Sequence, residues 1–331
     1  MSRHSKGAPR VSIGLPVYNG EDYLREAIDS ILSQSFEDFE LIISDNASTD
    51  GTQFICEHYA KSDSRIRYLR NDVNIGAAPN YNCLISLARG EYFKWAAHDD
   101  NCYEDFLAEC VSALDNNPDV VLCYPSTHVI DGEGKVLCDY RDNLGLLQDS
   151  PQERLIAYLR TNFMRKTGMC NPIFGVMRLS ELHKTRLIQE FLSSDRLLLA
   201  HLTLLGKSIE LRSILFQRRV HLGISTMANR NFSDRLAWFS SGAKSTGSRK
   251  FLSRFNNFIG LRLLHIRDLY RAISELVEND AERRRCRTAL TCLLFSDPKW
   301  LYISAKYSLG FRPTGQDQIN SLAKNSTTTN S

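Results

Sequence analysis

Apolar residues follow two alternating patterns along the first 125 residues of the chain. Short continuous apolar runs predict buried strands, and each run is followed by a segment with apolar residues at helical spacing. The predicted strands are 11–17, 39–44, 66–69, 92–97 and 120–124. The predicted helices between them are 23–33, 46–59, 79–89 and 106–114. This alternation predicts an α/β domain with a parallel sheet and helices on both faces.

The pattern changes after Pro125. Two glycines, Gly132 and Gly134, predict a hairpin turn, and further elements are expected as helices at 151–160 and 195–205 and strands at 173–177 and 209–220. Residues from 250 to about 309 have helical spacing with Arg-rich faces, whereas the final residues are polar and lack periodicity. The predicted organisation is a flexible N-terminus at 1–10, an α/β domain at 11–225, a helical region at 226–312 and a disordered tail at 313–331.

Charge is unevenly distributed along the 331 residues. The formal net charge of +3 is too balanced to indicate nucleic-acid binding by itself. Residues 249–331 carry 14 Lys and Arg against 7 Asp and Glu, so the rest of the chain is slightly acidic. A basic C-terminal region on such a body favours an anionic partner or surface, and no nucleic acid is expected.

Nine cysteines are present, an odd number with no CxxC spacing, and most lie inside apolar runs. This usage is typical of reduced, buried thiols in a cytoplasmic protein. The segment 1–10 is polar and basic, unlike a secretory signal. No run approaches the roughly 20 apolar residues that a membrane-spanning helix needs. The sequence therefore predicts a cytoplasmic protein, with peripheral membrane contact as an option for its basic end.

Acidic side chains follow two of the predicted strands. Asp45 comes after the run 41–43, and Asp99 and Asp100 come after 92–97. In open α/β sheets ligands bind outside the carboxyl ends of strands, and carboxylates gathered there need a cation or hydrogen-bond donors. A divalent ion carrying a nucleoside diphosphate would meet that need. Taken singly, each residue is better explained as the cap of the following helix.

Four blocks in this order distinguish between those explanations. Residues 11–19, 41–52, 74–76 and 90–100 together resemble family 2 glycosyltransferases with the GT-A fold, and the resemblance extends to about residue 222. It implies a Rossmann-like, mostly parallel sheet with helices on both faces, followed here by a C-terminal helical extension. It also implies transfer of a sugar from a nucleotide-sugar donor with the help of Mn²⁺ or Mg²⁺.

The resemblance assigns donor-binding roles to residues that follow the first four strands. Asp45 would contact uracil, or the same edge of the thymine in a dTDP-sugar, and UDP-sugar is the default donor. Gly76 would allow close backbone approach, and Arg178 would lie near phosphate. The complete expected donor set is Pro16, Tyr18, Asn19, Asp45, Asn74, Gly76, Asp99 and Arg178.

The expected metal ligands are Asp100, Asp99 and His221. The leading acidic position of the family motif is Ala97 here, so Asp100 is expected to be the main ligand and Asp99 to hold ribose or metal. His221, in the segment Arg218-Arg-Val-His221, is either a further ligand or a histidine satisfied by a local carbonyl.

Asp195 is the expected catalytic base. The segment 193–199 resembles the later acidic motif of the family, with Ser194 replacing its glutamate. The alternative is a carboxylate that merely interacts with the N-terminus of a helix.

The predicted function is metal-dependent, inverting transfer of a sugar to a glycan or lipid-linked acceptor in surface polysaccharide synthesis. Because Ala97 and Ser194 replace acidic residues, a degenerate nucleotide-sugar-binding protein that acts as a partner or scaffold is the alternative. A nucleotidyltransferase is disfavoured, since no Gly-rich phosphate loop follows the first strand.

A second apolar stripe lies in the C-terminal region and is flanked by arginines. Its members are Phe251, Phe255, Phe258, Ile259, Leu263, Ile266 and Tyr270. The stripe is expected to pack on the catalytic domain, and contact with an anionic membrane is the alternative.

Overall fold

The strands and helices below come from a computed structural model that describes residues 7–163, 169–221 and 258–296. The strands are β1 Val11–Val17, β2 Phe39–Asp45, β3 Ile66–Arg70, β4 Tyr92–Trp95, β5 Asn101–Cys102, β6 Val120–Ile130, β7 Val136–Tyr140, β8 Val176–Arg178 and β9 Lys207–Arg219. The helices are α1 Leu24–Leu32, α2 Thr52–Ser62, α3 Ala77–Leu87, α4 Phe106–Asn116, α5 Pro151–Tyr158, α6 Leu179–Lys184, α7 Ser194–Leu205, α8 Phe258–Leu276 and α9 Asp280–Ser296. A π-helical turn, Leu159–Phe163, continues α5, and a 3₁₀ turn, Asn171–Phe174, precedes β8.

One sheet contains all the described strands, in the order β3-β2-β1-β4-β8-β6-β9-β5, with β7 paired to β6. The first four strands are parallel, as the alternating pattern predicts. Beyond β4 the sheet is mixed, because β8 runs antiparallel to both β4 and β6 while β6 and β9 are parallel. The prediction of a mostly parallel sheet is therefore right for the N-terminal half and too simple for the C-terminal half.

Every residue of β1 and β2 is buried, which accounts for their uninterrupted apolar pattern. The two strands pair in register from Val11 opposite Phe39 to Val17 opposite Asp45, and Asp45 in turn lies opposite Arg70 of β3. The three strands therefore end level with one another. The loops that follow them meet at a single edge of the sheet.

Helix α7 is buried on nearly all sides, from Leu197 to Leu204. It packs against α5 and α8, and α9 packs against α5 and α8. The described part of the C-terminal helical region therefore lies against the domain that carries the sheet, which agrees with the packing expected for that region. A helix that is apolar all round needs such cover.

The buried face of α8 differs from the predicted stripe. The buried side chains are Leu261, Leu264, His265, Asp268, Leu269, Ala272 and Ile273, whereas Leu263 is exposed. Phe251 and Phe255, on which the membrane alternative partly depended, lie outside the described residues, as does the expected tail at 313–331. Within the described ranges no helix combines the length and the apolar character needed to cross a membrane.

One local prediction is wrong. Ile173 and Phe174 lie in the 3₁₀ turn and not in a strand, and the strand begins only at Val176. Pro172 at the start of that turn lacks a backbone donor, so this position suits a turn better than a ladder. The residues expected to form one or two strands at 209–220 form the single strand β9.

Candidate active site

The loops after β1 and β2 are tied together by hydrogen bonds. The Asn19 N–H donates to the Ser48 hydroxyl at 2.9 Å, and the Thr49 N–H donates to the Asn19 side-chain oxygen at 2.8 Å. Asn19 has a positive φ of 51°, which asparagine tolerates better than most residues. Tyr18, next to it, exposes 42% of its surface, whereas Pro16 is buried inside β1. Tyr18 is thus available to a ligand and Pro16 is not.

Asp45 is fully buried at the end of β2. Its carboxylate accepts hydrogen bonds from the Ser48 N–H at 2.8 Å, from the Tyr68 hydroxyl at 2.9 Å and from the Arg70 guanidinium. These partners come from the loop after β2 and from β3. The Asp45 carboxylate thus holds the loop after β2 in place, and its direct contact with a uracil edge stays a prediction.

Asn74 and Gly76 also act on the loop after β2. The Asn46 side-chain amide donates to Asn74 Oδ1 at 2.9 Å and to the Gly76 carbonyl at 3.2 Å, while the Ile75 N–H donates back to Asn46 Oδ1 at 2.9 Å. Gly76 has a φ of 84°, a conformation that glycine adopts without strain. The segment expected to bind the donor is therefore a loop held by hydrogen bonds at the same edge of the sheet.

The chain after β4 enters this edge beside the first loop. The Ala96 N–H donates to the Gly14 carbonyl at 2.9 Å, which continues the pairing of β4 with β1. His98 then packs against Gly20, where an added Cβ would lie only 2.7 Å from the imidazole. Glycine at position 20 is thus required for the close approach of the two loops. Sequence reasoning did not single out either residue.

Asp100 is held by the end of β9. Its carboxylate accepts a hydrogen bond from Arg218 Nη1 at 2.7 Å and another from the Arg219 N–H at 2.9 Å. Only 1% of the Asp100 side chain is exposed. Both oxygens thus accept hydrogen bonds from protein donors, and the role of Asp100 as the main metal ligand stays a prediction.

Asp99 lies beside Asp100 but faces a different neighbour. Its Oδ2 lies 3.1 Å from His221 Nε2, and 13% of its side chain is exposed. Burial alone would raise the pKa of Asp99, but the hydrogen bond from His221 and the positive charges of His98 and Arg218 outweigh it and hold this pKa below its usual range. Burial raises the pKa of Asp100 in spite of Arg218. Asp99 is therefore the carboxylate of this pair that stays ionised to lower pH and is partly exposed to the site.

His221 is further supported by aromatic and charged neighbours. Its ring lies 4.7 Å from the ring of Tyr23, measured between centroids. The buried Arg219 guanidinium lies 4.5 Å from the same Tyr23 ring and donates to the Asp99 carbonyl at 3.0 Å. The alternative of a histidine satisfied by a local carbonyl is thus replaced by a histidine paired with a carboxylate.

Asp195 lies in the first turn of α7. The Arg196 N–H donates to Asp195 Oδ1 at 2.9 Å, and the buried Cys170 thiol makes a hydrogen bond with the same carboxylate. Ser194, which replaces the family glutamate, is buried and donates its hydroxyl to the Gln189 carbonyl at 2.8 Å. Ser194 therefore fixes the start of the helix, and Asp195 is the acidic side chain at this position.

Tyr81 on α3 connects Asp195 with the Asp99–Asp100 pair. Burial raises the pKa of Tyr81, and the negative charges of Asp99, Asp100 and Asp195 raise it further while Arg218 opposes them. One phenol therefore senses all three carboxylates. Asp195 lies more than 90 residues away in sequence, and its partner Cys170 precedes the turn Asn171–Phe174. The ring of Phe174 lies 5.1 Å from the guanidinium of Arg218, which holds Asp100. Sequence reasoning missed Tyr81, although an aromatic residue on the helix that follows Asn74 and Gly76 was available as a signal.

Arg178 does not lie at this edge. It pairs in register with Tyr92, the first residue of β4, at the opposite end of the strand from Asp99. Its guanidinium donates to the Val120 carbonyl at 2.8 Å and to the Leu114 carbonyl at 2.7 Å. The prediction that Arg178 lies near phosphate is wrong, because β8 runs antiparallel to β4 and carries this side chain away from the site.

The comparisons with known proteins bear on the family and the fold of the chain. Residues 12–174 match the model of the family described as glycosyl transferase family 2. An uncharacterised glycosyltransferase of Rickettsia prowazekii is 39% identical over 119 residues, which are 35% of this chain and 36% of that protein. The abequosyltransferase RfbV of Salmonella typhimurium is 40% identical over 116 residues, 34% of this chain and 35% of RfbV. The aligned part thus covers only about a third of these relatives.

The sheet and helices also match a solved structure. Residues 1–349 of TarS from S. aureus superpose with a TM-score of 0.52 and 16% identity, covering 92% of this chain and 93% of that one. At this identity the likeness concerns the fold alone, and the fold is the GT-A fold that the sequence predicted. Through residues 12–174, which contain Asp45, Asp99 and Asp100, the chain belongs to glycosyl transferase family 2.

Proposed function

We propose that the protein is a glycosyltransferase that moves a sugar from a nucleotide-sugar donor to an acceptor hydroxyl with inversion at the anomeric carbon. The observation that carries this proposal is the series of contacts that runs from Asp195 through Cys170 and the turn Asn171–Phe174 to Arg218, which holds Asp100 beside Asp99. Membership of family 2 and the transferase names of the matched relatives support it. Because fold and family do not fix a substrate, the sugar and the acceptor are left to experiment.

Asp195 acts as the base in this proposal. Its carboxylate accepts the proton of the acceptor hydroxyl while that oxygen forms a bond to the anomeric carbon. The bond between this carbon and the diphosphate breaks on the opposite face, and the nucleoside diphosphate leaves with the electron pair. The Cys170 thiol and the Arg196 N–H hold the carboxylate in orientation. No covalent intermediate with the protein is needed.

The residues present fit a divalent ion only in part. Mg²⁺ and Mn²⁺ in nucleotide sites commonly take one or two protein ligands and complete their shell with phosphate oxygens and water. Asp99, which is ionised and partly exposed, and His221 are the side chains that would hold such an ion, whereas Asp100 is occupied by Arg218. No group of three or more potential ligands was found among the described His, Cys, Asp and Glu residues. A bound Mn²⁺ or Mg²⁺ would offset charge that develops on the departing diphosphate.

The structure of the loops after β1 and β2 does not determine which nucleotide the donor carries. The argument for uracil rested on a free Asp45, and this carboxylate is bound to Tyr68 and Arg70. Tyr18 is exposed beside these loops and is the proposed surface for the base. A UDP-sugar remains the first donor to test, together with dTDP- and GDP-sugars. The proposed acceptor is a glycan or lipid-linked glycan.

A binding protein without turnover is the second candidate, and the ion pair between Asp100 and Arg218 favours it. If Arg218 has taken the place of a metal at this carboxylate, the site could retain a donor without activating it. This candidate predicts tight binding of a nucleotide sugar with no release of nucleoside diphosphate.

The experiment is a donor panel with the full chain, with and without Mn²⁺, in the presence of a lipid-linked glycan fraction. The expected result is release of nucleoside diphosphate with one donor, and an inverted anomeric centre in the product by NMR. Retained configuration would overturn the inverting mechanism. Binding of a donor without release would favour the second candidate, and a thermal-shift series detects that binding because a ligand that prefers the folded state raises its stability.

A further inference from the structure

The segment that leads into α7 is held in a conformation that its own residues do not favour. This segment, residues 185–193, is called the clamp segment here. Leu187 and Ser193 have φ values of 54° and 63°, in the left-handed region. Such residues persist only when surrounding contacts fix them. The contacts come from two helices on different parts of the chain.

The first helix is α3. The Asn82 side-chain amide donates to the Ile188 carbonyl at 2.7 Å, and the Ile188 N–H donates to Asn82 Oδ1 at 3.1 Å. This pair of bonds fixes the middle of the clamp segment against the helix that also carries Tyr81. One side of the segment is thereby tied to the candidate site.

The second helix is α8, which supplies Asp268. Its carboxylate is 4% exposed and accepts hydrogen bonds from Gln189 Nε2 and from Arg186 Nη1, both at 2.9 Å. It also lies 2.7 Å from Nε2 of His201, a fully buried residue of α7. A single carboxylate on α8 therefore holds both the clamp segment and the helix that follows it.

His265 and Glu275 extend this contact along α8. His265 Nε2 lies 2.9 Å from the Leu192 carbonyl, and since a carbonyl only accepts, this nitrogen carries the hydrogen. Burial lowers the pKa of His265 to about 3, so the imidazole is neutral. Glu275 accepts two hydrogen bonds from Arg186, at 2.8 and 2.9 Å. Helix α8 thus contacts the clamp segment near its start, its middle and its end.

We propose that α8 positions the candidate base, with Asp268 as the positioning residue that fixes the clamp segment and α7 so that Asp195 faces the Asp99–Asp100 pair. The proposal rests on the proposed role of Asp195. It assigns a function to a helix that lies outside the family match at residues 12–174. The C-terminal helices are then part of the catalytic unit and not an appended module.

The test compares Asp268→Asn with Asp280→Asn in the full chain. Asp280 forms an exposed pair with Arg283 on α9, so the control makes the same chemical change away from the clamp segment. Hydrogen–deuterium exchange of peptides covering 185–199 is measured together with kcat and the KM for donor. For Asp268→Asn we expect faster exchange in these peptides and a kcat lowered roughly ten- to a hundredfold, because a misplacement of about 1 Å costs that much. The donor KM should be unchanged, and Asp280→Asn should match wild type.

His265→Phe is the second variant, for the case in which Asp268→Asn fails to fold. This variant removes the hydrogen bond to the Leu192 carbonyl. It is expected to speed hydrogen–deuterium exchange at the end of the clamp segment and to lower kcat, as Asp268→Asn does. Unchanged hydrogen–deuterium exchange in the folded variants would show that α8 does not hold the clamp segment. Faster exchange with unchanged kcat would show that α8 does not position Asp195. If the wild-type protein releases no nucleoside diphosphate from any donor, the proposed function fails instead, and the exchange data still decide whether α8 holds the segment.

Discussion

Arg218 Nη1 lies 2.7 Å from Asp100 Oδ2, and this contact separates the roles of two adjacent carboxylates. Asp100 is neutralised inside the protein by a residue of β9, which leaves Asp99 as the ionised, partly exposed partner of His221. Two carboxylates side by side would otherwise repel each other. The ends of β4 and β9 are joined into one unit by this ion pair, and the candidate site is built on that unit.

Loss of Arg218 should destabilise the fold more than loss of the whole pair. Arg218→Met leaves the Asp100 carboxylate buried without its partner, and breaking one side of a buried pair costs about 3 kcal/mol or more in the free energy of unfolding. The double variant Asp100→Leu with Arg218→Met removes both charges and should recover part of that loss. Urea denaturation of wild type, the two single variants Asp100→Leu and Arg218→Met, and the double variant measures this. Equal additive losses would show that the two residues are not coupled.

Asp195→Asn should abolish transfer and spare donor binding. The amide keeps the shape of the side chain but cannot take the acceptor proton, so the rate should fall by about 10² to 10⁴-fold. Initial rates and the affinity for nucleoside diphosphate are measured on the same preparation. A rate close to that of wild type would exclude Asp195 as the base.

Arg178→Met should affect stability alone. The guanidinium holds the carbonyls of Leu114 and Val120 at the far end of the sheet, so its loss leaves those carbonyls without their donor. A decrease of about 1–3 kcal/mol in the free energy of unfolding is expected, with no change in the donor KM. A raised donor KM in a stable variant would restore the original expectation that Arg178 lies near phosphate.

The sequence predicted the N-terminal half of the sheet because buried parallel strands have continuous apolar runs and their helices have a regular period. The prediction was less accurate for elements whose buried face depends on residues from other parts of the chain. The buried face of α8 includes Asp268 and His265, which a hydropathy pattern counts as polar, since only the fold shows that His201 and Leu192 satisfy them. The predicted stripe was therefore shifted toward Leu263, which is exposed.

The candidate site shows the same limit. That Asp45, Asp99 and Asp100 gather at one edge follows from their position after parallel strands. Their roles do not follow, because Arg70 closes off Asp45 and Arg218 closes off Asp100 from other strands. The surroundings of the last two carboxylates are thus set by residues distant in sequence, Arg218 for Asp100 and His221 for Asp99.

Gly175→Ala should be poorly tolerated, as expected for a glycine that permits close packing. An added Cβ would lie 2.6 Å from the Cys123 carbonyl oxygen and 2.9 Å from Tyr124 Cβ, and backbone there cannot move cheaply. Overpacking of this kind costs about 1–3 kcal/mol. Gly132→Ala is the control, because its nearest atom is the Tyr23 hydroxyl at 3.3 Å, on a side chain that can move. Thermal denaturation should show a clear loss for the first variant and little for the second.

The contribution of Asp268 to stability should depend on pH. Burial alone would raise the pKa of Asp268, but the hydrogen bond and charge of His201, with Gln189 and Arg186, lower it to about 2 from 3.8. A carboxyl whose folded pKa is depressed stabilises the folded state fully above its unfolded pKa, and this contribution is lost as the pH falls from about 4 to about 2. The difference corresponds to roughly 2 kcal/mol at neutral pH. Asp268→Asn should therefore have a lower free energy of unfolding than wild type at pH 7, and the difference between the two should be smaller at pH 3.

Urea denaturation of both proteins at pH 7, 5 and 3 checks this dependence. The control Asp280→Asn removes an exposed pair and should cost at most about 1 kcal/mol at neutral pH. The difference in the free energy of unfolding between wild type and Asp268→Asn could stay constant from pH 7 to pH 3. That result would mean that the carboxylate charge does not hold α8 against α7. The lower stability of the variant would then come from the altered geometry of the hydrogen bonds to His201, Gln189 and Arg186, because hydrogen bonding to an uncharged side chain does not titrate in this range.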